Sequence, residues 1–487
     1  MLEREGENPW REPAELGAMR SLFALPCLAG FIVHASCGVS GGYRAAVVQG
    51  LFHNATTSQA SLVESFVRDA AAAQTQIIVF AESALGSDTS LNHRASCEPL
   101  PSPGAAVSLC GAAETPVASM MSCLAAKYHI VLVFCACDVR GKEHFNTQLA
   151  VDSDGRLLAK YHKMHLYDPS PGIGESTHAS YPAVADPSYF DTKFGVRFGM
   201  HTCFDMAFST PGAAMAMDPS LGIRDFVFPT GWVVESPPML PPNAVQQGWS
   251  RGVGVNLLAA DSAHSFGSSG SGIYSQGQVL AKRVTPFDSP DSGHMLIADV
   301  PKLRRSQPNV QQRPPNWGYK TFPAHPAETQ SSHMQAAGNG TVAVVKLALG
   351  LRSDAVTSVD AASPTGFRCH LVYSLSHPLR EQFALLALDG HWLRGVIRSR
   401  SCLLFRCRTA ACSVDPLFVS AVDLKSSTVF ERVAMYGDFL MGDVVMPIVA
   451  TSRGDVADDL DMQVQGGSLV MPHLNETLLS AMLYASL

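Results

Sequence analysis

From Tyr43 onward the chain alternates short apolar runs with amphipathic segments. YRAAVVQGLF reads as a strand, since a β-branched apolar run suits a pleated, half-buried or buried surface. SQASLVESFVRDAAAAQ sets Leu62, Val63, Phe66, Val67 and Ala70 at helical spacing, and QIIVFAES follows as a buried strand. The unit recurs as a helix around VASMMSCLAAKY and a strand HIVLVFCACDV. NTQLAVDSDGRLLAKYHK then predicts a strand pair turning at Asp154 and Gly155. KFGVRFGMHTCFD and IRDFVFPTGWVV predict two further strands, separated by a Pro/Gly/Met-rich segment that holds a helix. Strands that are nearly continuous apolar runs belong in sheets covered on both faces, so the pattern predicts an α/β architecture over 41–310.

Near residues 300–335 the pattern lapses. PKLRRSQPNVQQRPPNWGYKTFPAHPAETQSSHM is rich in Pro, Gln and Ser without an apolar period, which predicts an interdomain connection over 311–335. Beyond it TVAVVKLAL, FRCHLVYSL, FALLALDG, WLRGVIRSRSCLLFRCR and STVFERVAMYG predict a smaller, mainly β domain over 336–487.

The two ends carry targeting signals. From Met19, one Arg precedes an apolar stretch from Ser21 to Val33, and the small residues Ala35, Ser36, Gly38 and Ser40 follow. This reads as a secretory signal peptide within a leader of 1–40, with a buried hairpin or an uncleaved anchor as the alternative. The apolar run is shorter than the roughly 20 residues of a spanning helix, and Pro26 interrupts it. Near the carboxyl end, Gly466, Gly467 and Ser468 are followed by a spacer and the apolar tail TLLSAMLYASL, a candidate GPI-attachment signal weighed against simple secretion. Asn54, Asn339 and Asn475 each begin an N-x-T glycosylation sequon, as a secreted protein would carry.

Charge and cysteine usage narrow the classes. Only 16% of the 487 residues are charged, the net charge is −7 and there is no Lys/Arg run, which argues against a nucleic-acid partner. Of twelve cysteines, Cys369, Cys402, Cys407 and Cys412 form an even set suited to disulfides in an oxidising compartment. Cys97, Cys110, Cys123, Cys135 and Cys137 are an odd set, so a free thiol or a bond to Cys37 is expected. Alternation puts Cys135 and Cys137 on one strand face as core or disulfide residues, and no cysteine pair has zinc-ligand spacing.

Three polar residues stand at the ends of apolar strands: Glu82 after QIIVFA, Lys163 in AKYHKMHLYD and Cys203 after KFGVRFGMHT. Open sheets keep their ligand crevice outside the carboxyl ends of the strands, so the three can converge in one pocket. Together they are a thiol nucleophile, a base to take its proton and a cation for a developing oxyanion.

The stretches VFAES, KYHKMHLYD, FGVRFGMHTCFDMAF, FVFPTGWV and VNLLAADSAHSFGSSGSGIYS resemble the nitrilase superfamily of carbon–nitrogen hydrolases. TCFD, FPT-x-W and GSGIY point within it to the vanin/biotinidase branch, whose additional C-terminal domain FRCHLVYSL and SCLLFRCR resemble. The resemblance implies a nitrilase-type four-layer αββα sandwich followed by the smaller mainly β domain. It implies Glu82 as general base, Lys163 as stabiliser of the tetrahedral intermediate, Cys203 as nucleophile and Glu175 as a second glutamate that orients the lysine. His201, Phe204 and Trp232 are the implied substrate-binding positions, with the Phe204 backbone N–H as an oxyanion donor. Two positions depart from the pattern: Ala81 stands where a Pro is usual, and His201 where an apolar or aromatic residue is common. The implied reaction is hydrolysis of a small-molecule amide through a thioester, without metal or organic cofactor, and the Lys163 ammonium is expected to favour the Cys203 thiolate. Members of this branch cleave pantetheine to pantothenate and cysteamine, or release biotin from biocytin and biotin amides; the overall pattern favours pantetheine, with biotinidase and a catalytically inactive secreted binding protein as the alternatives.

Overall fold

The computed structural model describes residues 41–487 except 51–58, 83, 86–96, 105–107, 169–171, 173, 185–187, 235–239, 263–268, 286–292, 304–324, 327–331, 338–339, 348, 350–355, 393–394, 415–424, 453–461, 466, 472 and 475. The leader and the three sequon asparagines therefore lie outside the described residues.

The first domain runs, in order, β1 (Gly42–Gln49), α1 (Gln59–Ala72), β2 (Ile77–Phe80), α2 (Pro116–Tyr128), β3 (Val131–Arg140), β4 (Glu143–Val151), β5 (Leu157–His162), β6 (Tyr189–Asp191), β7 (Arg197–Met200), α3 (Ala214–Met217), β8 (Asp225–Thr230), α4 (Pro242–Val253), β9 (Asn256–Asp261), β10 (Ser269–Ser275), β11 (Gln278–Thr285) and β12 (His294–Pro301). These strands form two six-stranded sheets, ordered β12-β1-β2-β3-β4-β5 and β11-β10-β9-β8-β7-β6. β1, β2 and β3 are mutually parallel in one sheet, and β7, β8 and β9 in the other.

Apolar alternation decides how the sheets stack. Val47, Val79 and Phe80 of the first sheet share one core with Met200, Val227, Leu258, Ala260 and Ile273 of the second. The same core takes up Val63 and Val67 of α1 and Met121 and Ala125 of α2. On the second sheet the opposite face, bearing Phe226, Phe228, Leu257 and Ala259, packs against Val245, Trp249 and Val253 of α4. The layers are thus helix, sheet, sheet, helix, as the family resemblance implies.

α2 and α4 both start on proline, which tolerates the first turn because its missing N–H needs no partner there. The N–H of Ala118 donates to the buried Glu98 carboxylate at 3.1 Å, a favourable placement of negative charge at a helix start. α4 stops at Gly254, whose φ of 76° suits a left-handed cap.

Among the described residues the second domain is a twelve-stranded assembly built around strand Glu476–Ser486. That strand pairs with Ile397–Arg406, with Met446–Thr451 and, at its start, with Val429–Gly437. Strand Phe383–Trp392 shows why its sequence is apolar from Phe383 to Leu388. Phe383, Leu385 and Ala387 face the domain's own core, while Ala384, Leu386 and Leu388 join the core that holds Trp249 of α4. α4 is therefore buried between the second sheet and the C-terminal strands.

Two segments carry strands that their composition did not announce. The stretch 311–335 includes strand His325–Pro326 and the start of Ser332–Ala337. The apolar tail TLLSAMLYASL forms most of the central strand Glu476–Ser486, buried over Leu479–Ala485 between its partners. A two-sided buried strand and a cleaved hydrophobic tail share one apolar pattern.

Candidate active site

The carboxyl ends of parallel strands bring the polar residues together. Glu82 follows β2, Cys203 follows β7, and Thr230 with Gly231 ends β8. Lys163 follows β5, and its backbone N–H donates to the carbonyl of Asn146 on β4 at 2.9 Å. All three expected residues are buried: Glu82 is 6% exposed, Lys163 2% and Cys203 4%.

The Lys163 ammonium lies between two carboxylates. It donates to Glu82 Oε1 at 2.8 Å and to Glu175 Oε1 and Oε2 at 2.9 and 2.8 Å. Glu175 opens a short 3-10 turn, and its Oε2 also accepts the Tyr167 backbone N–H at 2.8 Å. The other oxygen of Glu82 accepts the Gly231 N–H at 2.9 Å. Burial by itself lowers the Lys163 pKa, but Glu175 and Glu82 outweigh it and hold the ammonium well above the usual lysine value.

Cys203 heads a 3-10 turn, Cys203–Ala207, with a φ of 47° that L residues rarely adopt. The turn is fixed by a capping box in which the Thr202 N–H donates to Asp205 at 2.9 Å. The Thr202 hydroxyl reaches across to Gln148 Oε1 on β4 at 3.1 Å. Burial raises the Cys203 pKa well above the usual thiol value, and Glu82 raises it further while Lys163 opposes them. The Lys163 ammonium thus favours the thiolate, as expected, but desolvation outweighs it and keeps the pKa raised.

The expected substrate-binding positions divide. Phe204 packs edge-on against Tyr167 and Phe208, with ring centroids 5.3 and 5.1 Å away. Trp232 anchors the loop after β8: its backbone N–H donates to Asp261 and its indole N–H to the Leu240 carbonyl, both at 2.9 Å. His201 belongs elsewhere. It is fully buried among Phe226, Phe228 and Trp249 of the α4 layer, and both ring nitrogens lack a hydrogen-bond partner among the described residues. Desolvation lowers its pKa to about 4, so it is a neutral core residue rather than a substrate contact.

One residue was missed. Asn146 donates from Nδ2 to Glu82 Oε1 at 2.8 Å and to Glu175 Oε1 at 3.2 Å, so one amide spans both carboxylates. Its signal was the pair Asn146 and Gln148, two polar residues at alternate positions of the apolar run FNTQLAV. Cys135 pairs in register with Gln148 on β4 and is a reduced, buried thiol. The remaining described cysteines are bonded as Cys97–Cys137, Cys110–Cys123, Cys369–Cys402 and Cys407–Cys412. The neighbours on one strand face thus differ in state, Cys137 in a disulfide and Cys135 free. No His/Cys/Asp/Glu group suited to a metal occurs among the described residues.

A buried thiol beside a lysine clasped by two carboxylates can carry acyl transfer at an amide carbonyl. Residues 44–219 match the carbon–nitrogen hydrolase family, and residues 348–481 match the vanin C-terminal domain. The chain carries a carbon–nitrogen hydrolase domain followed by a vanin C-terminal domain. A pantetheinase from Canis lupus familiaris is 29% identical over 407 residues, covering 76% of this chain and 70% of the relative. A biotinidase from Bos taurus is 29% identical over 330 residues, covering 60% of each. Vanin-like protein 1 of Drosophila melanogaster is 36% identical over 172 residues, covering 35% of this chain and 29% of the relative. Among solved structures, a nitrilase-superfamily amidase from Nesterenkonia AN1 is 20% identical with a TM-score of 0.42, covering 54% of this chain and 91% of the amidase.

Proposed function

We propose that the protein hydrolyses the amide of pantetheine to pantothenate and cysteamine, with Cys203 as nucleophile. Glu82 takes the Cys203 proton as sulfur attacks the carbonyl carbon, while Lys163 and the Phe204 backbone N–H stabilise the oxyanion. The tetrahedral intermediate collapses, the C–N bond breaks, and the amine leaves with the proton that Glu82 returns. Water, deprotonated by Glu82, then attacks the thioester, and the thiolate departs and is reprotonated. Glu175 and Asn146 hold Lys163 and Glu82 in place.

The observation that carries this reading is the clasp of Lys163 between Glu82 and Glu175 next to a buried thiol that needs a base. The pantetheinase match over 76% of the chain supports the substrate. A second reading, release of biotin from biocytin, is favoured by a biotinidase of equal identity. Secretion is supported by the disulfides in both domains, which persist in oxidising compartments.

The test is amine release from pantetheine and from biocytin by wild type and Cys203→Ala. Cysteamine release that disappears in the variant is expected. Cleavage of biocytin alone would replace the substrate, and full activity in Cys203→Ala would remove the nucleophile.

A further inference from the structure

Two of the three reacting groups, Lys163 and Cys203, sit on turns that leave different sheets. One continues β5 and delivers Lys163, Met164 and His165; the other continues β7 and delivers Cys203. β5 and β7 share no ladder, so side chains must fix the two turns against each other.

One carboxylate does so. Asp205, 1% exposed, lies two residues beyond Cys203. Its Oδ1 accepts both the backbone N–H of His165 and the ring Nδ1, each at 2.9 Å. Its Oδ2 accepts the Thr202 N–H at 2.9 Å and the Tyr161 hydroxyl at 2.8 Å. That hydroxyl in turn accepts the Met164 N–H at 3.1 Å. The His165 ring lies flat on Phe208, with centroids 3.7 Å apart and planes 6° from parallel. Phe208 ends the nucleophile turn, so His165 grips that turn at its far end while Asp205 caps its start.

A non-glycine residue in the left-handed region costs about 1–2 kcal/mol and persists only where its surroundings over-determine it. Cys203 is in that position, and Asp205 binds the residue before it. We infer that Asp205 and His165 are positioning residues: together they hold Cys203 in its strained conformation and set its distance from the Lys163 ammonium. The inference rests on the reading of Cys203 and Lys163 as reacting groups.

His165→Asn places an amide N–H where the ring Nδ1–H was; His165→Ala removes it. His165→Ala is expected to lower kcat about 10²-fold with little change in KM, since misplacement of about 1 Å costs that much. His165→Asn is expected to recover most of the loss. The second readout needs no substrate: the rate at which iodoacetamide alkylates Cys203, followed by mass, with Cys203→Ala as the blank for Cys135. It slows in His165→Ala and recovers in His165→Asn.

A folded His165→Ala protein that is alkylated at the wild-type rate would overturn the inference. So would a His165→Asn protein as slow as His165→Ala, because the hydrogen bond to Asp205 would then not matter. If His165→Ala does not fold, Tyr161→Phe removes a single bond to the same carboxylate, and an unchanged alkylation rate there would equally overturn it. Slowed alkylation in a protein that cleaves neither pantetheine nor biocytin leaves the clamp standing and refutes the substrate instead.

Discussion

The Lys163 ammonium donates to both oxygens of the Glu175 carboxylate, at 2.9 and 2.8 Å. With the bond to Glu82, all three ammonium hydrogens are engaged before substrate arrives. An oxyanion must therefore take one of them from a carboxylate. Glu175→Gln leaves Lys163 with one anionic partner, and a charged hydrogen bond contributes about 1.5–3 kcal/mol. We predict a fall in kcat of about 10²-fold at the upper end of that range. Steady-state kinetics on the cleaved amide check it, and a change confined to KM would refute it.

Strain at Cys203 predicts a stability difference between two variants of that position. Cys203→Ala and Cys203→Gly both lose the thiol, but only glycine adopts a φ of 47° without steric cost. Cys203→Gly should be more stable than Cys203→Ala by about 1 kcal/mol, the reverse of the usual order. Urea titration of the two proteins decides it.

His201 predicts an acid sensitivity. Its pKa of about 4 in the fold lies below its unfolded value, so its contribution is present above about pH 6.5 and is lost as the pH falls toward 4. The loss reaches about 3 kcal/mol at the low end. Asp225, raised to about 6 mainly by burial, works the other way, because its protonated form is favoured in the fold. Comparing wild type with His201→Leu isolates the histidine. The variant should gain about 3 kcal/mol on wild type between about pH 7.5 and pH 4. Equal losses in both proteins would refute the account.

Two glycines set the approach of α4 to the C-terminal strands. A Cβ at Gly252 would lie 2.6 Å from the Val445 carbonyl oxygen, and one at Gly248 would press on the Pro447 carbonyl oxygen. Alanine in a helix normally gains about 1 kcal/mol over glycine. Here backbone on the facing strand must move, so Gly248→Ala should cost about 1–3 kcal/mol net. A melting temperature at or above wild type would contradict this.

The sequence made the strand ends legible because each carries an ionisable or nucleophilic group after an apolar run, as at Glu82 and Cys203. Lys163 was separable from Lys160 only through its surrounding motif; the fold puts Lys160 on Asp138 instead, at 2.9 Å. His201 was named through the resemblance, as a departure at a position often apolar or aromatic; strand geometry turns its ring toward Trp249. Asp205 was visible only as part of TCFD, since its donors Tyr161 and His165 lie some forty residues earlier. α4 went unread because a helix buried on both faces, with Pro242, Gly248 and Gly252, lacks the single apolar stripe by which helices are recognised.

Strand Glu476–Ser486 follows all three of its ladder partners in the sequence. During synthesis those partners emerge first and wait with an open gap where apolar strand edges are unpaired, the condition in which chains associate wrongly. The Tyr484 hydroxyl, from the same strand, donates to the carbonyl of Ala207 in the nucleophile turn. The ribosome thus delivers the Cys203 thiol early and one of its supports some 280 residues later, which at about 5–20 residues per second is a delay of roughly 14–56 seconds. Through that interval the nascent hydrolase domain holds its nucleophile turn without this brace, and activity should be acquired after the fold of the first domain rather than with it.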